Sequence, residues 1–182
     1  MSLAGAAMTY PVVRQARPEL ERLSELTSET VNLAILDGRH VVYLDQVPRQ
    51  AVLMANWVGR RSPAHASSSG KVLLAFGDAE VREAVFSHRL ERLTPQTVTD
   101  RARLRGILAE IRRRGYARST GELEEGLVTI AAPVLVHGCP VAAVSVSGPS
   151  FRIPPQDQPI LAHLAIDAAT AVGHRMAGAT AL

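Results

Sequence analysis

The stretch VNLAILDGRHVVYLDQV, residues 31–47, contains two β-rich runs on either side of Asp37-Gly38. An Asp-Gly pair between two such runs is a strong indicator of a tight β-hairpin turn. A second pair of β-rich runs, at 127–136 and 140–148, flanks the turn residues His137-Gly138-Cys139. Because hairpins join antiparallel strands, the sequence predicts a mostly antiparallel sheet rather than a doubly wound nucleotide-binding fold.

Helical periodicity before, between and after these strands completes an α+β prediction. Leucines at near-helical spacing predict a helix over 17–28, and a long apolar stripe that includes Ile160 predicts another over 156–177. Residues 51–58 are predicted to form a further strand, and residues 59–63 are predicted to be a turn. Helices packed on an antiparallel sheet are typical of the α+β class.

The composition is that of a globular domain without a strong electrostatic preference. Hydrophobic residues make up 47% and charged residues 20% of the 182-residue chain, and the formal net charge is only +3. The densest run of arginines lies on a helix predicted from Asp100 to Gly115, whose apolar residues recur at helical spacing. This pattern indicates an amphipathic helix with a solvated arginine face rather than a nucleic-acid surface.

The cellular compartment is predicted from cysteine usage and from apolar runs. Cys139 is the only cysteine, which rules out an internal disulfide and fits a reducing compartment. The start of the sequence lacks the pattern of a signal peptide, and no apolar run approaches the ~18 residues that a membrane span needs. We therefore expect a cytoplasmic protein with no membrane partner.

The segment RSPAHASSSGKVLLAF, residues 61–76, allows three interpretations. A phosphate loop is excluded by spacing, because His65 stands where its first glycine is required and Val72 replaces its hydroxyl residue. Ser68 and Lys71 match the Ser-x-x-Lys motif of acyl-transfer enzymes. Such enzymes need a second motif that contains lysine, which cannot exist in a chain with one lysine. Lys71 is therefore predicted to be a surface or helix-packing charge. The third interpretation is a helix start that offers free amides and hydroxyls to an anion.

Histidines elsewhere in the chain do not predict a metal or catalytic site. His163, Asp167 and His174 share one face of the last helix, but two or three ligands without a further partner do not make a zinc site. That face is predicted to be solvated or to face a second subunit. His65 is predicted to order its loop by hydrogen bonding. No metal, no cofactor and no catalytic residue is predicted.

Three segments, RSPAHASSSGKVLLAF, RRRGYARSTGELEEGLVTIAAPV and PVAAVSVSGPSFRI, follow the first hairpin in an order and spacing that resemble the effector-binding domain of the IclR family of bacterial transcriptional regulators. The resemblance covers about residues 17–177. It implies a GAF-like or profilin-like fold, a curved antiparallel sheet of about six strands with flanking helices and a ligand cavity on one face. The implied division is a linker or cloning remnant (1–16), a linker helix (17–28), the effector-binding domain (29–177) and a tail (178–182).

The resemblance also implies a set of ligand-binding positions. They are Val52, Met54, Ala55, Asn56, Ser67, Ser68, Ser69, Ser119, Glu122, Thr129, Ser145 and Ser147. Ser119 stands where the family often has aspartate, and Thr129 where it often has cysteine, so the cavity is short of negative charge. This favours a neutral or anionic ligand, such as a small organic acid, over a cation. Glu122 is expected to orient its loop rather than to touch the ligand.

The function implied is a non-enzymatic sensor. Ligand binding would shift the population of conformations seen by a winged helix-turn-helix domain, which we expect to be absent from this chain and to make any DNA contact. We expect a homodimer or tetramer. The alternatives are a small serine hydrolase that uses Ser68 or Ser69 with Lys71, and a dimerisation module without a ligand.

Overall fold

Six antiparallel strands form one curled sheet in the computed structural model, which describes residues 11–49 and 56–179. The strands are β1 (Thr30–Asp37), β2 (His40–Val47), β3 (Arg61–Pro63), β4 (Ala117–Thr120), β5 (Leu127–Val136) and β6 (Cys139–Pro149). Their order across the sheet is β3-β2-β1-β6-β5-β4. Both predicted hairpins are confirmed, and β1 pairs with β6 to join them into one sheet.

The hairpin turns have the backbone conformations that their residues allow. Gly38 has φ +58°, and His137 and Gly138 have φ +50° and +80°. Positive φ is inexpensive for glycine and tolerated at few other residues, so these turns fix where each strand reverses. Because side chains alternate between the two faces of a strand, the turns also fix which residues share a face.

In residues 11–49 and 56–179, five helices cover the two faces of the sheet. They are α1 (Pro11–Thr27), α2 (Ser68–Phe76), α3 (Ala79–Phe86), α4 (Arg101–Arg114) and α5 (Gln158–Ala179). Helix α1 is longer than predicted, and Pro18 lies in its interior. The predicted limits of α4 are confirmed, because the Asp100 side chain accepts a hydrogen bond from the Arg103 N–H and Gly115 closes the helix with φ +88°.

Two apolar layers sandwich the sheet. On the α5 face, strand residues such as Leu33 and Val144 pack against α1 and α5. On the α2 face, Ala34, Ala131 and Ala143 pack against α2 and α4. The small alanine side chains let the helices on the α2 face approach the strands closely, so polar side chains further along that face lie next to a helix end rather than in solvent.

Three local predictions need correction. Residues 61–63 are not a turn but strand β3, which pairs with β2 through His40, Val41 and Val42. Of the predicted strand 51–58, residues 51–55 lie outside the described residues, and residues 56–58 are not in a strand. Ile160 is 62% exposed, because α5 buries the stripe that contains Leu161 and Ala165, and Ile160 is rotated away from it.

Candidate ligand-binding site

The first turn of α2 presents unused hydrogen-bond donors. Ser67 is the N-cap, with an extended backbone and a side-chain Oγ that accepts a hydrogen bond from the Gly70 N–H at 3.0 Å. The amides of Ser68 and Ser69 precede the first intrahelical bond, which the Lys71 N–H makes to the Ser67 carbonyl. Both serines are buried, and none of the hydrogen bonds within the described residues uses their hydroxyls.

Gly70 is required because the backbone packs closely against it, and not because it belongs to a phosphate-binding loop. A Cβ added at Gly70 would lie 2.2 Å from the carbonyl oxygen and 2.4 Å from the Cα of Ala64. No real side chain tolerates such a contact with backbone atoms. The glycine therefore lets the segment before α2 fold back against the helix, which fixes the direction of the helix start.

Lys71 is buried, so of the two predicted roles, a surface charge or a helix-packing charge, the first is wrong. Its side chain is 1% exposed, and its Nζ donates a hydrogen bond to Glu122 Oε1 across a close ion pair. Burial lowers the pKa of Lys71 below its usual value, and the attraction of Glu122 opposes this. The lysine thus joins α2 to the loop after β4 instead of activating a serine.

Glu122 belongs to a loop that is fastened at several points. Thr94 Oγ1 donates to the Gly121 carbonyl at 2.6 Å, and Thr97 Oγ1 donates to the Glu122 carbonyl at 2.7 Å. The Val98 N–H donates to Glu122 Oε2 at 3.4 Å. Both oxygens of the carboxylate are therefore used within the protein, and Glu122 holds the loop against α2.

A band of short polar side chains crosses the α2 face of the sheet. Ser119 pairs with Thr129, and Thr129 pairs with Ser147, while Asn32 pairs with Ser145. We call Asn32, Ser119, Thr129, Ser145 and Ser147 the polar band. All five are between 2% and 9% exposed, and Asn32, Ser145 and Ser147 alternate with residues that pack on the α5 face.

The polar band lies at the N-terminal end of α2. Ser119 Oγ donates to the carbonyl of Ala66 at 3.4 Å, just before the N-cap. The other end of α2 points away, since Leu73 and Phe76 line a cleft with Cys139 at the turn of the second hairpin. The structure therefore brings the predicted serines of α2 and the predicted hydroxyl residues of the sheet to the same half of the α2 face.

Asn32 is a member of the band that sequence reasoning missed. Its Nδ2 donates to Ser147 Oγ at 3.2 Å, whereas its Oδ1 is buried and has no hydrogen-bond partner among the described residues. A signal was present in the sequence, because Asn32 sits within an otherwise apolar strand and its position alternates with core residues. Sequence alone did not place it opposite Ser145.

Two aromatic side chains border the band on the β2 side. The ring centroids of Tyr43 and Trp57 are 5.3 Å apart, and the backbone N–H of Trp57 donates to Gln46 Oε1 at 3.1 Å. Gln46 pairs with Asn32 across β1 and β2, so this aromatic pair is linked to the band. Burial raises the pKa of Tyr43, which is therefore neutral at physiological pH.

The predicted wall before α2 is only partly described. Val52, Met54 and Ala55 lie outside the described residues. Asn56 is exposed, and its Oδ1 accepts a hydrogen bond from the Val58 N–H within a turn. Its side chain is therefore engaged locally, and it does not join the polar band.

Comparison with known proteins identifies the family. The family model for the C-terminal domain of the bacterial transcriptional regulator IclR matches residues 4–174. The chain belongs to the IclR family. It is 40% identical over 169 residues to the HTH-type transcriptional regulator BhcR of Paracoccus denitrificans, a match that covers 91% of this chain and 61% of BhcR. The chain thus spans about three fifths of the length of that curated relative.

Solved structures of IclR-family proteins have the same fold. A transcriptional regulator of Rhodococcus sp. RHA1 superposes with a TM-score of 0.91 at 32% identity, covering 96% of this chain and 73% of that one. An IclR homologue of Microbacterium hydrocarbonoxydans, solved with 4-hydroxybenzoate, gives a TM-score of 0.84 at 32% identity and covers 93% and 71%. The predicted α+β fold and the prediction of an IclR-type effector-binding domain are confirmed.

Two open clefts lie outside the polar band of this IclR-family domain. The larger, about 1170 Å³, is lined mainly by the C-terminal half of α2, by α3 and α4, and by the turn of the second hairpin. The smaller, about 670 Å³, lies beside α4 and is bordered by Lys71 and Glu122. Among the predicted ligand-binding residues in the described ranges, only Glu122 lines either cleft. The remaining predicted residues in the described ranges lie elsewhere.

The structure offers no support for metal or hydrolase chemistry. Within residues 11–49 and 56–179, no group of three metal-ligating side chains comes together, and His163, Asp167 and His174 are all exposed. The hydrolase alternative is not supported, since Lys71 bonds to Glu122 and the relatives are named transcriptional regulators. In the same ranges, no helix is both long enough and apolar enough to cross a membrane.

His65 orders the segment before α2, as predicted. Its Nε2 lies 2.8 Å from the carbonyl oxygen of Glu91, and the residue is 4% exposed. Burial lowers the pKa of His65, and the positive charge of Lys71 acts in the same direction. A neutral His65 that donates to Glu91 is therefore the form that the fold favours at neutral pH.

Proposed function

We propose that this domain binds a small organic acid between the start of α2 and the polar band. The observation that carries the proposal is the buried band itself, which meets the N-terminal end of a helix on an otherwise alanine-lined face. Within the band, Asn32 Oδ1 is buried without a hydrogen-bond partner among the described residues, and such an atom is costly unless a ligand or water bonds to it. A helix N-terminus with free amides favours a carboxylate at the same place.

The charges around the band also favour an acid. Glu122 is the one acidic residue among the predicted site residues, and it forms an ion pair with Lys71. Neither Ser119 nor Thr129 carries a charge. The aromatic pair of Tyr43 and Trp57 offers a flat apolar border, which suits an aromatic acid, and a relative was solved with 4-hydroxybenzoate.

Strand β2 can pass the state of the site to α1. Gln46 lies on the face of the polar band, whereas its neighbour Asp45 accepts a hydrogen bond from Arg17 of α1 at 2.9 Å. Arg17 also reaches the Gln46 carbonyl at 3.4 Å. A ligand that fixes the position of β2 would thus bias the position of α1, and with it a DNA-binding domain of the whole regulator.

In this proposal the domain is a sensor and not an enzyme. It acts in the cytoplasm as a homodimer or tetramer, and DNA is contacted only by a further domain of the whole protein. No group in the band can act as a general base, because its members carry only hydroxyl and amide groups. The bound acid is released unchanged.

Thermal unfolding with 4-hydroxybenzoate tests the proposal. At a ligand concentration 100 times Kd, the expected stabilisation is about 2.7 kcal/mol, or a rise in Tm of roughly 5–10 °C for a domain of this size. Ser145→Ala with Ser147→Ala should abolish the rise, whereas Ser150→Ala, an exposed serine just after β6, should keep it. An NMR spectrum of the incubated ligand should show no turnover. Equal Tm shifts in the double variant and in wild type would place the acid elsewhere.

A further inference from the structure

We infer that the Asn32 side chain forms a hydrogen bond with a hydroxyl group of the effector, and that the effector is therefore a hydroxy acid. This inference rests on the proposed function and names the class of ligand. Asn32 is 2% exposed, and its Oδ1 is the one fully buried side-chain polar atom among the described residues that has no hydrogen-bond partner. A buried amide oxygen without a partner destabilises the fold, so a partner is required when the site is occupied.

The orientation of the Asn32 amide does not change this requirement. As placed, Nδ2 donates to Ser147 Oγ and Oδ1 is unpartnered. If the amide were turned over, Oδ1 would accept from the Ser147 hydroxyl and Nδ2 would lack an acceptor. A ligand hydroxyl both donates and accepts, so it satisfies Asn32 in either orientation. A carboxylate or a ketone, which only accepts, satisfies it in one.

The position of Asn32 separates this contact from the carboxylate contact. Ser119 on β4 lies under the residue before the α2 N-cap, whereas Asn32 lies on β1, which is separated from β4 by β6 and β5. The acid group belongs at the helix amides, above the β4 side of the band. Asn32 lies on the β1 side, next to the aromatic border. The ligand hydroxyl that bonds to Asn32 is therefore at the end of the ligand remote from its carboxylate.

Neighbouring polar groups on this part of β1 already have partners. Thr30 is on the same face two residues before Asn32, and its Oγ1 accepts a hydrogen bond from the Arg49 N–H at 3.3 Å. The Gln46 Oε1 opposite Asn32 accepts from the Trp57 N–H. The unmet requirement is thus specific to Asn32, and Thr30→Val provides a matched control on the same strand.

Calorimetric titration with two pairs of acids tests the inference. The probes are 4-hydroxybenzoate with benzoate, and 5-hydroxypentanoate with pentanoate. We expect at least one hydroxy acid to bind wild type about tenfold or more tightly than its deoxy partner. Asn32→Leu, which has nearly the same shape, should remove this preference by weakening the hydroxy acid, and Thr30→Val should retain it.

The outcomes distinguish the two proposals. If the two acids bind wild type equally in both pairs, or if Asn32→Leu keeps the preference, a fixed water or another residue satisfies Asn32. The inference is then wrong, while the organic-acid site stands. If no acid of either pair binds, both the inference and the proposed function are wrong. Circular dichroism and the urea midpoint of Asn32→Leu establish that the variant is folded.

Discussion

Replacing Lys71 by methionine should lower the free energy of unfolding by far more than the loss of an exposed ion pair does. Methionine keeps an apolar stem of similar length, so the change removes the charge and leaves most of the packing. The Glu122 carboxylate, whose side chain is 11% exposed, then loses its cationic partner and keeps only the Val98 N–H. Breaking a buried pair from one side costs about 3–5 kcal/mol. For a domain of this length, that loss corresponds to a fall in Tm of roughly 6–20 °C.

The assay is urea unfolding followed by far-UV circular dichroism, with three variants beside wild type. Arg61→Met removes an exposed pair with Asp37, whose side chains are 50% and 58% exposed, and should cost less than about 1 kcal/mol. Lys71→Met with Glu122→Gln removes both charges but keeps an acceptor for Val98. That double variant should regain at least half of the loss. A cost below about 1 kcal/mol for Lys71→Met, or no recovery in the double variant, would refute the reasoning.

Two further predictions concern the frame of the site. Asp100→Ala should lower the free energy of unfolding by about 1 kcal/mol, because it removes the side-chain cap of α4. Asp78→Ala is the control and should have little effect, because Asp78 makes no side-chain cap bond to α3. Equal urea midpoints for the two variants would contradict this prediction. The folded-state pKa of His65 is lowered, so its stabilising contribution is complete above about pH 6.5 and is lost as the pH falls below that value. His65→Gln should therefore show a smaller loss of Tm between pH 7 and pH 5 than wild type, and parallel pH profiles would exclude His65 as the source.

The fold was predictable because its determinants are local. Asp37-Gly38 and the turn at 137–139 specify two hairpins. Asp100 and Gly115 are the cap residues that fix where one helix begins and ends. Strand β3 was missed because three residues are too short to show alternation. Ile160 was assigned to the wrong face because a hydrophobic residue beside a buried stripe cannot be distinguished from a member of it by periodicity alone.

The candidate site was less predictable because its parts meet only in three dimensions. Ser145 and Ser147 were expected to share a face, since strand alternation requires it. The ion pair of Lys71 and Glu122 joins residues 51 positions apart, and nothing in the local sequence of either indicates burial. Asn32 and Ser147 are 115 positions apart, and only the pairing of β1 with β6 brings them into contact.

The burial of Lys71 has a practical consequence for labelling chemistry. Lys71 is the only lysine in the sequence, so the folded domain presents no exposed lysine side chain to amine-directed reagents. An ammonium that is 1% exposed and bonded to a carboxylate can be acylated only when the start of α2 separates from the loop at Glu122. The acylation rate at this one position therefore reports how often the two segments separate, and an effector held against α2 would slow it.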